Sequence, residues 1–134
     1  MKNRLSELRE AAFLILFRAD FYSPEDISGQ IRDFFEGEDY FRPAEREKTA
    51  AKVLNIVRLI PEIDAALDEI SEGWKTRRMS KTDLTILRLA YYEIKYDENV
   101  PTGVAINEAV ELAKAYGEDA SPSFVNGILA KAAK

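Results

Sequence analysis

Apolar residues recur at three- and four-residue intervals almost from end to end of the chain, and no segment sustains period-two alternation. The pattern predicts helices throughout. The first runs over about Asn3 to Asp20, with Leu5, Leu8, Ala12, Ile15 and Ala19 on one face. Phe13, Leu16 and Phe17 widen that face, which predicts contact from two sides. Ser23-Pro24 opens a second helix, Ser capping free amides and Pro fitting the first helical position, and Ile27, Ile31 and Phe34 come after it. Glu36-Gly37-Glu38-Asp39 reads as a polar loop. Pro43 restarts a helix that carries Val53, Leu54, Val57 and Ile60. Pro61 predicts a break or sharp bend there, because it disfavours the helical conformation at Ile60, and a short helix with Ile63, Leu67 and Ile70 comes next.

The second half is better punctuated. Ser80 is placed to cap a helix, with Asp83 at the third helical position and Met79 and Leu84 spaced as a hydrophobic staple. That helix continues through Leu87, Ala90, Tyr91 and Ile94. Asn99-Val100-Pro101 ends the connection, and Ile106, Ala109, Val110, Ala113 and Tyr116 mark another helix, with Gly117 suited to its C-terminal cap. Ser121-Pro122 starts the last, whose apolar face is Val125, Ile128, Leu129 and Ala132. The prediction is an all-α bundle of about seven helices, without repeats or long linkers.

Length and composition narrow the picture. A chain of 134 residues fits one domain, 1–134, and buries enough surface to need no disulfide or metal staple. It has neither cysteine nor histidine, so thiolate chemistry and the commonest metal ligand are both absent, and no cofactor is expected. With catalysis confined to carboxylates, lysine and hydroxyls, the expectation is a binding protein and not an enzyme. A net charge of −5 argues against a general polyanion binder and leaves room for a local basic site. The apolar run Ala11 to Phe17 is flanked by charges, lacks a small-residue cleavage site and is too short to span a bilayer, which predicts a buried helix, no membrane partner and a cytoplasmic protein.

Candidate sites are few. Glu108 and Glu111, three apart on one helix, could flank a magnesium ion, but such pairs are commonplace on solvated faces, and Glu93 with Asp97 reads the same way. In the first twenty residues Lys2, Arg4, Arg9 and Arg18 oppose Glu7, Glu10 and Asp20, which offers only a few phosphate contacts. Lys75, Arg77, Arg78 and Lys81 form a second cluster beside Trp74. Basic charge interleaved with an aromatic suits a single-strand binder; the alternative is a solvated loop whose Trp anchors the core. Phe124 sits in the first turn of the last helix, as core or as a stacking platform. Gly127 within that helix suggests close approach of another backbone, and Asn107 reads as partly buried.

Three ordered blocks carry a resemblance. Residues 84–93 read LTILRLAYYE, residues 101–114 read PTGVAINEAVELAK, and residues 124–129 read FVNGIL. Together they closely resemble the NusB family of bacterial transcription antitermination factors, strongly over the last fifty residues or so and more loosely at Arg9-Glu10-Ala11 and Leu16-Phe17. The resemblance implies an all-helical fold of two packed subdomains. It implies binding of boxA RNA in nascent ribosomal RNA transcripts together with ribosomal protein NusE, and contact with the RNA polymerase elongation complex through other Nus factors. The chain ends at Lys134, so the free-standing factor is a better match than the form that precedes a methyltransferase. Phe124 matches the family aromatic near the RNA, and Phe17 stands where many members carry tyrosine. Asp83 matches an acidic position facing NusE, in competition with its capping role.

The family's arginine-rich first turn is replaced here by Leu5, Ser6 and Glu7, leaving Lys2, Arg4 and Arg9 as phosphate contacts. The RNA-binding set is thus Lys2, Arg4, Arg9, Phe17, Arg77, Arg78 and Phe124, with Asp83 at the protein interface. A second reading is a NusB-fold protein-interaction module with little RNA affinity of its own, which the acidic balance favours. Apolar helical faces are compatible with a homodimer, and no segment compels one.

Overall fold

Asn3 starts the first helix: its side-chain oxygen accepts the Ser6 amide at 2.8 Å, satisfying one donor that a helix N-terminus leaves open. In the computed structural model, which describes residues 3–134, helix is the only extended regular element. The order is α1 (Arg4–Ala19), α2 (Ile27–Phe35), α3 (Pro43–Ile70), α4 (Lys81–Tyr96), α5 (Thr102–Tyr116) and α6 (Ser121–Ala132), with 3-10 turns at Pro24–Asp26 and Thr76–Arg78. The all-α class is as predicted, with one helix fewer. Among the described residues, no helix is long and apolar enough to cross a membrane.

The difference in count lies at Pro61, which α3 passes without ending. An internal proline removes one helix bond and costs about 3 kcal/mol. Val53 and Ile56 before it and Ile63 and Leu67 after it are all wholly buried, and that apolar burial holds the backbone helical on both sides.

The chain divides into two compact units, Met1–Arg58 and Leu59–Lys134. In the first, α1 buries Ala11, Ala12, Phe13, Ile15 and Leu16, and α2 buries Ile27, Ile31 and Phe35. Leu5 departs from the predicted face and is 70% exposed, while Arg4 and Glu7 turn toward Tyr40 of the 36–42 loop. Ser23 does not cap the second helix either. Its hydroxyl donates to Asp26 Oδ2 at 2.7 Å, and the chain enters α2 through the Pro24–Asp26 turn.

The 36–42 loop is tied down by rings and charge. Phe34, Phe35, Phe41 and Tyr40 form a series of edge-on contacts with centroids 5.2 to 6.1 Å apart. Arg46 donates to the Phe41 carbonyl at 3.1 Å and to the Glu38 carbonyl. Arg4 grips Glu45 through Nε and Nη2 at 2.8 and 2.7 Å, and Nη2 also donates to the Tyr40 carbonyl at 2.9 Å. Tyr40 in turn donates its hydroxyl to the Glu7 carboxylate.

In the second unit, α4, α5 and α6 pack on one another. Leu84, Ile86, Leu87, Leu89, Ala105, Ala109, Val125 and Leu129 are buried there. Ser80 caps α4 as predicted, accepting the Asp83 amide at 3.1 Å, while Met79 and Leu84 are both buried as a staple requires. Arg88 of α4 grips Asp64 bidentately at 2.8 and 2.7 Å.

Gly117 ends α5, but its φ of −93° lies outside the left-handed region. Glycine is needed for space. A Cβ there would stand 2.6 Å from the Cβ and Oγ of Ser121 and 2.8 Å from the Ala113 carbonyl oxygen. Gly127 is the opposite case, with nothing within 4 Å of the position a Cβ would take. The close approach of another backbone predicted at Gly127 is therefore not found there, and the glycine that lacks room for a Cβ is Gly117, against the Ser121 side chain.

Stability should respond at both kinds of contact. Gly117→Ala should lower the urea-unfolding free energy by about 1–3 kcal/mol through overpacking, whereas Gly127→Ala should raise it by up to about 1 kcal/mol; equal effects at the two sites would contradict the packing described. Arg4 foremost, and then the Arg42 amide, hold the Glu45 carboxyl at about 2, below its ordinary 4.5. A depressed carboxyl contributes stability that is complete above its unfolded value and is lost as pH falls through the folded one. Urea midpoints between pH 4.5 and about 2 should thus fall more steeply for the wild type than for Glu45→Gln. Parallel curves would rule the pair out as a source of acid sensitivity.

Candidate nucleic-acid interface

The turn after α3 is built by two residues in the left-handed region, Glu72 at φ 40° and Gly73 at φ 87°. Side chains fix the backbone beyond them. Ser71 donates its hydroxyl to the Trp74 carbonyl, and Asp68 accepts the Thr76 amide at 2.7 Å. Backbone bonds from Arg78 to Lys75 and from Met79 to Thr76 close the 3-10 turn. Glu72 pairs with Lys131 of α6 at 3.1 Å. The backbone of residues 71–79 is thereby bonded at both ends.

This loop holds Trp74 with 56% of its surface exposed and its ring against Phe124, centroids 5.8 Å apart and planes inclined by 77°. Trp74 therefore does not anchor the core. Phe124 is half-buried. Lys75, Arg77 and Arg78 are exposed in the same loop. Two aromatic rings with cations on the adjoining turn offer stacking for bases and positive charge for phosphates, the combination used for single strands. The structure brings Phe124 together with the loop of Arg77 and Arg78, three of the residues the sequence singled out.

The remaining RNA-binding candidates belong to the first unit. Phe17 is half-buried, flanked by Phe13 at 6.3 Å and Phe21 at 5.6 Å, and it is Phe21 that is 64% exposed. Arg18 is exposed and lies 5.8 Å over the Phe34 ring. Arg4 is engaged by Glu45 and Tyr40, and Arg9 is buried. Lys2 lies outside the described residues.

Asp83 is partly buried in the first turn of α4. Its amide goes to Ser80, and its Oδ1 is shielded from solvent without a hydrogen-bond partner among the described residues. A carboxylate oxygen in that state carries a desolvation cost that no hydrogen bond offsets. Glu111 is paired with Lys114 at 3.1 Å, and no group of three metal-ligating residues occurs among the described residues. Asn107 is exposed, contrary to its predicted partial burial, since it points away from the face on which Ala105 and Ala109 are buried. The Trp74–Phe124 contact and the exposed Phe21 had no local signal: the first joins residues fifty positions apart, and the second falls past the periodic stretch.

The chain is similar to known proteins along nearly its whole length. The NusB family model matches residues 6–134. A transcription antitermination protein NusB from Lachnoclostridium phytofermentans is 47% identical over 125 residues, covering 93% of this chain and 95% of the relative. The NusB of Agathobacter rectalis is likewise 47% identical, over 94% of this chain and 96% of its own. Among solved structures, T. maritima NusB superposes with a TM-score of 0.89 at 32% identity, covering 99% of this chain and 92% of that one. A crystal structure of the antitermination factors NusB and NusE in complex with dsRNA matches with a TM-score of 0.85 at 25% identity, covering 99% of this chain and 98% of that one. The family model over residues 6–134 and the sequence identity along nearly the whole length agree: the chain belongs to the NusB family.

Proposed function

We propose that the chain is a transcription antitermination factor that binds boxA-type single-stranded RNA jointly with ribosomal protein NusE, residues 1–134 acting as one RNA-binding domain. The observation that carries the reading is the Trp74–Phe124 ring pair beside Lys75, Arg77 and Arg78. Family membership supports it, and the likeness to a NusB crystallised with NusE and dsRNA supports the joint binding of RNA and NusE. Unpaired bases can reach such rings, whereas bases within a duplex are already stacked. In this reading the protein works in the cytoplasm, joins the RNA polymerase elongation complex through other Nus factors, and holds RNA and protein in place without turning over a substrate.

The side chains divide the labour. Arg77 and Arg78 meet phosphates, which fixes position, while Trp74 and Phe124 stack on bases. Phe17 and its exposed neighbour Phe21 offer further ring surface on the first unit. Asp83 faces NusE and offers its partly buried carboxylate to a cationic donor. A second reading, a protein-interaction module with little RNA affinity of its own, is favoured by the engagement of Arg4 and the burial of Arg9.

Trp74 is the sole tryptophan, so its emission reports directly on the ring pair. Titration with single-stranded boxA RNA should change that emission, and Phe124→Ala should weaken binding by about 1–3 kcal/mol with helix content intact. Arg77→Ala and Arg78→Ala should each shallow the logarithmic salt dependence by about 0.7. Undiminished affinity in all three variants would remove this loop from the RNA site. Repeating the titration with NusE separates the two readings: binding with NusE alone means joint recognition, and no binding in either case leaves the protein module. Asp83→Lys should weaken NusE binding in calorimetry by about 2 kcal/mol or more, and unchanged affinity would discard Asp83 as a contact.

A further inference from the structure

Arg4 stands in the first turn of α1, where an unmatched guanidinium would offer a phosphate contact. It is already matched. Nε and Nη2 donate to the two oxygens of Glu45 at 2.8 and 2.7 Å, Nη2 donates to the Tyr40 carbonyl at 2.9 Å, and the group lies 4.4 Å from the centroid of the Tyr40 ring. This is the two-pronged geometry by which arginine holds a phosphate, filled by a carboxylate of the same chain. Glu45 is itself held in place by the Arg42 amide at 2.8 Å. A second carboxylate, Glu7, approaches the same ring through the Tyr40 hydroxyl.

An incoming phosphate would exchange two charge-assisted bonds for two of the same kind. It would forfeit the Tyr40 carbonyl bond and the ring contact, and it would leave Glu45 without its counter-charge. The exchange has no net driving force.

We propose that Glu45 is an internal phosphate mimic: with its charge present, Arg4 organises the 36–42 loop and adds nothing to RNA affinity, and removal of that charge turns Arg4 into a phosphate ligand. This deepens the RNA-binding reading and rests on it for its biological setting. The Glu45 carboxylate thus sets how much RNA charge the first turn of α1 neutralises.

The test follows the Arg4 Nε–H resonance by NMR with two probes, single-stranded boxA RNA and linear inorganic polyphosphate, which carries the charge without bases. In the wild type the resonance should stay in place with polyphosphate, and in Glu45→Gln it should move. The logarithmic salt dependence of RNA binding should steepen by about 0.7 in Glu45→Gln. Arg4→Ala should leave wild-type RNA affinity within about twofold, as expected of a cation that makes no phosphate contact. Arg4→Lys, which keeps the charge, provides the comparison should the alanine variant lose its fold. A wild-type Arg4 resonance that moves with polyphosphate, an unmoved one in Glu45→Gln, or a tenfold loss of RNA affinity in a folded Arg4 variant would overturn the proposal. If RNA leaves the wild-type Trp74 emission unchanged, the RNA reading fails, and the polyphosphate arm still decides the role of Glu45.

Discussion

The functional reading depends on an indole ring that is held in place without being buried. An unrestrained surface tryptophan would collapse onto the nearest apolar surface, since burying a large ring is favourable by about 2–3 kcal/mol. Here the backbone on either side of Trp74 is fixed first. Ser71 takes the Trp74 carbonyl, Asp68 takes the Thr76 amide, and Glu72 reaches across to Lys131. With the main chain so constrained, the ring's remaining freedom ends at the edge of Phe124. The rotamer entropy that stacking on a base would otherwise remove is therefore already reduced before a ligand arrives.

Charge is arranged in the opposite sense in the two units. In the second, Lys131 satisfies Glu72 and leaves Lys75, Arg77 and Arg78 exposed on the turn. In the first, Arg4 is matched by Glu45, Arg9 is buried and Arg18 lies over Phe34. A net charge of −5 therefore conceals a local basic turn. What matters for a phosphate chain is the cations not already matched by carboxylates, and Lys75, Arg77 and Arg78 supply three of them in the loop of Trp74.

Much of the fold was legible because it rests on local rules. Helical periodicity gave the class, and Ser80, Asp83, Met79 and Leu84 announced the start of α4 through interactions spanning only five residues. Local rules failed where distant burial outweighed them. Pro61 should end a helix, and Ile56 and Ile63 keep it going. Gly117 was recognisable as a helix end, but for its conformational freedom, when the reason is the Ser121 side chain pressed against it. The site was less visible than the fold. Glu45 lies forty-one positions from Arg4, so counting cations near the N-terminus could not reveal that one was already matched. Phe124 stood out through its sequence block, and its partner Trp74 through the adjoining charges, yet nothing in the sequence joined them.

The contact between Gly117 and Ser121 constrains how the protein can vary. Any side chain at position 117 meets the one at 121, and the Ser121 hydroxyl accepts the Glu118 amide at 3.0 Å while its own amide donates to the Glu118 carbonyl. A bulkier residue at 121 would press on the same backbone from the other side. The two sites are therefore coupled: a larger side chain at either strains the turn between α5 and α6, from which the helix bearing Phe124 departs.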